Sequence, residues 1–126
     1  MKRILVAFAL LLCAAQAMAA GSMQFITRTT LVCTSSTAAA FSASTTAKAV
    51  QGKTWPGTFT ILHSSIGQLP YFYDFGAKQA WDGPGNPGQN VVGTDGKGMD
   101  RVSTGTVMYF QGNGQAVTMS LTVLGE

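Results

Sequence analysis

VSTGTVMYFQGNGQAVTMSLTV, residues 102–123, is the most regular stretch of the chain. Its two halves, VSTGTVMYF (102–110) and QAVTMSLTV (115–123), flank Gln111-Gly112-Asn113-Gly114. Asn-Gly is the dipeptide that closes tight hairpins, because both residues tolerate positive φ. The reading here is a β-hairpin. In its second half Val117, Met119, Leu121 and Val123 alternate with Thr118, Ser120 and Thr122. A period of two sets the first group on one face, toward a core, and the second toward water.

The same period extends toward the N-terminus. In MQFITRTTLVC (23–33), Phe25, Thr27, Thr29, Leu31 and Cys33 share one face, and Ile26, Arg28, Thr30 and Val32 the other. Both faces carry apolar groups, as in a strand covered on two sides. TAAAFSASTT (37–46) has one large side chain, Phe41, and reads as a weak strand or a loop. KTWPGTFTIL (53–62) opens with the turn signal Trp55-Pro56-Gly57 and continues as a strand in which Phe59 and Ile61 alternate with threonines. In LPYFYDFGAKQAWDG (69–83), Leu69, Tyr71 and Tyr73 fall on one side and Phe72 and Asp74 on the other, before Gly76 releases the chain. AWDGPGNPGQNVVGTDGKGMD (80–100) is too rich in glycine and proline for regular structure over most of its length, with a short strand at Asn90 to Gly93 the exception. Six or seven short strands joined by turns define an all-β class, a small immunoglobulin-like or Greek-key β-sandwich.

The first nineteen residues stand apart. Lys2 and Arg3, the apolar run Ile4 to Ala15 and the small-residue site Ala17-Met18-Ala19 form the three parts of a secretory signal peptide. The run is shorter than the roughly 20 residues that span a bilayer, so a cleaved leader is expected rather than an integral membrane protein. The expected mature chain, 20–126, is one domain and is exported to the periplasm, the cell surface or the medium. Without Lys2 and Arg3, the eight basic residues fall to six against five acidic ones, and the net charge falls from +3 to +1. The basic residues are spread along the chain, so the electrostatic footprint of a nucleic-acid binder is missing. Cys13 belongs to the leader, which leaves Cys33 without an internal partner: either a buried thiol or an intermolecular disulfide.

Groups able to do chemistry are few. His63 precedes Ser64 and Ser65, and Asp74 follows, but a catalytic triad is a spatial arrangement and sequence neighbours seldom form one. His63 reads as a loop or strand-end residue. One histidine and one cysteine cannot supply a zinc site. Asp82, Asn86, Asp95 and Asp100 lie in flexible segments but depart from the pattern of a calcium loop, and no phosphate-binding glycine fingerprint is present. No catalytic residues, metal or cofactor are assigned, and a non-enzymatic protein is expected. Binding and assembly remain. Trp55, Tyr71, Tyr73 and Trp81 are the candidate ligand-facing rings of a secreted carbohydrate- or surface-binding module, against the plainer reading that they pack the core.

TRTTLVCTSSTAAAFSAS, LPYFYDFGAKQAWDG and STGTVMYFQGNGQAVTMSLTV together resemble the spore coat protein U domain, the fold of pilus subunits built by the archaic chaperone-usher pathway. The residues that carry the resemblance are Cys33, Tyr71, Tyr73, Asp74, Trp81, Gly83, Tyr109, Gly112, Gln115, Val117, Leu121 and Val123. The chain departs from that family in its shortness and its lone Cys33. The resemblance implies an incomplete sandwich completed by a strand from a neighbouring subunit, with other pilus subunits, a periplasmic chaperone and an usher as partners. Two arrangements follow: either residues 20–32 are the donor strand, contacting through Phe25, Thr27, Thr29 and Leu31, with Val117, Met119, Leu121 and Val123 lining the groove that receives it, or the segment belongs to the body of the domain and no donor strand exists.

Overall fold

Val117–Gly125 forms the central strand of the protein. It is hydrogen-bonded along both edges, and Val117, Met119, Leu121 and Val123 on its inner face are buried. The computed structural model describes residues 23–76 and 81–126, so the expected leader, 1–19, lies outside the described residues. The described elements are β1 (Gln24–Cys33), β2 (Ala39–Ser42), helix α1 (Ala43–Gln51), β3 (Phe59–Ser65), β4 (Tyr71–Phe75), β5 (Asn90–Val92), β6 (Lys97–Val102), β7 (Val107–Gly112) and β8 (Val117–Gly125). They build two antiparallel four-stranded sheets, ordered β1-β8-β3-β6 and β2-β7-β4-β5. The protein is the all-β sandwich that the alternation predicts.

The core lies between the sheets. Phe59 and Ile61 of β3 and Met119, Leu121 and Val123 of β8 meet Tyr71 of β4 and Met108 and Phe110 of β7. In β3 and β8 the other side of the strand is mostly hydroxyls, while in β4 and β7 it carries Phe72 and Gln111, which Trp81 covers; in all four a period of two sends one side into the two-layer core.

The hairpin expected at 102–123 is not formed. Residues 102–112 end β6, turn, and make β7, which pairs with β2 and β4, while β8 pairs with β1 and β3 in the opposite sheet. Asn113 to Ala116 is therefore an arch between layers. Four residues reach about 13 Å, enough to cross sheets roughly 10 Å apart. The arch is fixed by neighbouring loops: the Gly112 amide donates to the Thr34 carbonyl (2.9 Å) and the Asn113 amide to that of Pro70 (3.2 Å). Gly114 takes the positive φ, +83°, that the Asn-Gly signal anticipates, but the turn serves a different topology. The same crossing recurs throughout, and of all consecutive described strands only β4 and β5 share a sheet. Crossing lets β7 and β8 both occupy interior positions with two paired edges each.

Three further readings change. Part of the weak stretch 37–46 is helical: Ser42 caps α1 by accepting from the Thr45 amide (3.2 Å), Gly52 closes it at φ +76°, and Ala43 and Ala47, one turn apart, are its buried contacts. β6 forms inside the glycine-rich segment, in part because Gly98 lies against the His63 ring, where a Cβ would collide with the imidazole. A register shift between Phe25 and Thr27 breaks the expected face of β1: Ile26 turns into the core, and Phe25 turns out, 61% exposed. Opposite burial of two adjacent residues separates Phe25 from the core aromatics in mutation. Phe110→Ala is expected to lower the unfolding free energy by about 3–5 kcal/mol in urea denaturation, and Phe25→Ala to change it by no more than about 0.5 kcal/mol. Equal losses would contradict the bulge.

Candidate functional site

The two residue sets drawn from the sequence meet each other within one chain. β1 runs antiparallel to β8 with Thr27 opposite Val123, Thr29 opposite Leu121, Leu31 opposite Met119 and Cys33 opposite Val117. Thr27, Thr29 and Leu31 are half-buried, and the four β8 residues are buried. Phe25, opposite Leu124, belongs to the outer surface instead. Cys33 ends the strand fully buried, its thiol 3.7 Å from the Leu31 carbonyl, and burial pushes that thiol up to about 11. A bridge to another chain would require the end of β1 to open.

β1 is also an edge strand. Among the described residues its second edge is unpaired over ten residues, with Arg28 as its one charged side chain, and Val32 near its end is 72% exposed. The other three edges are guarded. β2 and β5 have four and three residues, and β6 carries Lys97, Asp100 and Arg101. Short length and charge are the usual means of blocking edge pairing, and β1 has little of either.

The candidate rings Tyr71, Tyr73 and Trp81 serve packing. Tyr71 is wholly buried. Tyr73 stacks on Phe110 at 5.9 Å, and Trp81 packs edge-on over Phe72 on the outer side of the second sheet at 6.1 Å. The Gln111 carboxamide pins Trp81, accepting from its amide (2.9 Å) and donating to its carbonyl (2.8 Å), and also donates to Ser35 (2.9 Å). Trp55, half-buried, leans on Phe59 and over Gly125. None of the four candidate rings joins another in an exposed coplanar pair.

His63 is not at a strand end. It continues the inward series Phe59, Ile61, His63 along β3, a signal that the alternation of FTILH carries if extended two residues further. Its Nε2 lies 2.7 Å from Asp100 Oδ2 and its Nδ1 2.8 Å from the Tyr71 hydroxyl, which is also 3.2 Å from the His63 carbonyl. A carboxylate only accepts, so Nε2 carries the proton, and in the neutral ring Nδ1 accepts from Tyr71. Asp100 and Tyr71 thus tie the two sheets through one imidazole, with the Tyr73 ring centroid 4.4 Å from its own. Ser64 alternates to the outer side, Ser65 donates to the Leu69 carbonyl and Asp74 accepts from the Phe75 amide, so the sequence neighbours of His63 form no triad. Among the described residues no three His, Cys, Asp or Glu side chains converge as metal ligands, and no helix is long and apolar enough to cross a membrane.

Burial holds His63 below its ordinary range, against the pull of Asp100, and pushes Tyr73 up to about 12, with the Asp100 carboxylate adding to the effect. Tyr71 is raised further, again first by burial. A histidine with a lowered folded pKa contributes stability above its unfolded value near 6.5, and this is lost as the pH falls. Tyrosines with raised values contribute below about 10, and theirs is lost as the pH rises. Thermal stability is expected to be flat between these limits and to fall on either side. His63→Asn is expected to lower the plateau and flatten the acid limb. An unchanged acid limb in that variant would show that another group controls it.

Fold and site together define a β-sandwich whose described strands leave one edge unguarded. Comparison of the chain with protein families, with curated proteins and with solved structures found no match.

Proposed function

We propose that the protein is an exported structural subunit that assembles by β-strand complementation, with β1 as the exchanged strand. The observation that carries this reading is the β1–β8 ladder. A ten-residue strand, the first described element, fills one edge of the central strand, in continuous register from Thr27 to Cys33 and with one bulge at Ile26, and is joined to the rest by five residues, 34–38. A second copy can offer the same strand in the same register. Withdrawing β1 strips one edge of β8 of its backbone partners and uncovers the cluster that Ile26 and Cys33 help close, so the vacated slot selects for a strand of this pattern. The free outer edge of β1 supplies a second route by which copies add to one another.

The resemblance to spore coat protein U domains supports the same reading and gives it a setting, a pilus-type fibre built outside the inner membrane with a chaperone and an usher. The carbohydrate-binding module on Trp55, Tyr71, Tyr73 and Trp81 is the weaker reading, since those rings serve the packing.

Deleting residues 20–32 from the mature protein is expected to abolish assembly and leave a destabilised domain. A synthetic peptide of that sequence is expected to restore its circular dichroism and cooperative melting. Size-exclusion chromatography with light scattering on both forms reads the outcome. A monomer equally stable with and without those residues would refute strand complementation.

A further inference from the structure

We propose that the outer face of the β1-β8-β3-β6 sheet is a binding groove for an acidic polysaccharide. Two adjacent rows of cross-strand partners build it: Arg28–Thr122–Leu62–Met99 and Thr30–Ser120–Ser64–Lys97. All of these but Thr30 line a shallow depression of about 360 Å³. Its floor is apolar, with Leu62 partly exposed and Met99 67% exposed, and its walls are hydroxyls.

Charge identifies the occupant. Among the described residues neither Arg28 nor Lys97 has a carboxylate partner. Arg28 Nε is held by the Thr122 hydroxyl at 3.3 Å, which aims the guanidinium across the sheet rather than neutralising it. The acids lie elsewhere. Asp100 points inward to His63, Asp74 belongs to the other sheet, Asp82 follows Trp81 in the loop over that sheet, and Glu126 pairs with Arg101 one row away. Asp95 sits in the turn before Lys97, at the rim. Arg28 and Lys97 lie on opposite edge strands in adjacent rows, three inter-strand steps across and two residues along, about 16 Å between their backbones. With the Arg28 guanidinium held at Thr122, anionic groups in series match the two cations better than a single carboxylate or sulfate.

The remaining polar groups favour a sugar chain. Across the middle of the groove the ladders use the backbone N–H and C=O groups of β8 and β3 on both sides, so a peptide lying across the face finds main-chain partners only at the outer edges of β1 and β6. Ser64 and Ser120 in the depression and Thr30 beside it present hydroxyls that both donate and accept, matching the hydroxyls of a saccharide. Leu62 and Met99 offer apolar ground for the C–H faces of its rings. The groove is the same whether its Arg28 comes from the protein's own β1 or from an exchanged one, so it stands apart from the mode of assembly.

The test titrates the full mature protein at low salt with heparin oligosaccharides and with polygalacturonate, using dextran, poly-glutamate and single-stranded DNA for comparison. Binding to at least one acidic polysaccharide is expected, weakening as salt rises. Arg28→Ala and Lys97→Ala are each expected to reduce affinity about tenfold, while Lys48→Ala, on α1, leaves it unchanged. Ser120→Val, which removes a hydroxyl and no charge, is expected to weaken the polysaccharide alone. Unchanged melting of each variant confirms that the fold is intact. No polysaccharide binding, equal or tighter binding of poly-glutamate or DNA, or an equal loss with Lys48→Ala would overturn the proposal.

Discussion

The pairing of both edges of β8 is the constraint on which the rest of this structure depends. A strand whose inner side is Val117, Met119, Leu121 and Val123 must bury that side, and once it does, its backbone groups lose water and need partners on both flanks. β3 supplies one flank and β1 the other. Because β1 and β8 are the first and last described strands, the ladder that completes the first sheet also closes the chain on itself. The second sheet repeats this solution with β7 between β2 and β4. Each layer is thus organised around an interior strand from the C-terminal part of the chain. The arch at 113–116 links those two strands and keeps the layers in register.

This arrangement explains which parts of the fold were legible in the sequence. Strands β1, β3, β4, β7 and β8 are readable from alternation, because one buried face imposes a period of two whatever the strand's neighbours are. The partner that a strand takes after a turn is decided less locally. Asn113-Gly114 marks a reversal correctly, yet the same dipeptide serves a hairpin and an arch, and contacts from Thr34 and Pro70 decide between them. β6 was hidden by its glycines, since its reason for holding Gly98 lies thirty-five positions away in His63. The Phe25/Ile26 inversion was equally hidden. A bulge depends on how β1 meets Leu124 and Val123, not on anything within MQFIT.

The candidate site shows the same division. The two sets of residues on β1 and β8 were identifiable because each is an alternating series, and the backbone sets them opposite one another. The His63–Asp100–Tyr71 tie joins three strands and cannot be read from spacing, although the inward phase of Phe59 and Ile61 already assigns His63 to the core side. Nor does the dispersal of basic residues reveal that Arg28 and Lys97 end on one face. Only the order β1-β8-β3-β6 gathers them.

Under the proposed strand exchange, assembly and internal stability make opposing demands on β1. A strand that leaves its own chain must not be indispensable to the core, yet a strand that guides assembly must fit its slot closely. The distribution of side chains on β1 reconciles the two. Only Ile26 and Cys33, one near each end, are fully buried in the core; Thr27, Thr29 and Leu31 between them are half-buried, with Leu31 packed against the core from its edge. The middle of the strand therefore contributes mainly backbone hydrogen bonds, which in the proposed exchange another copy would replace, while the two apolar ends fix the register against a slip. The strongest polar tie between the sheets, His63 with Asp100 and Tyr71, involves β3, β6 and β4 and leaves β1 out. The body of the sandwich is thus held together by groups that do not involve β1, as the proposed exchange of that strand requires.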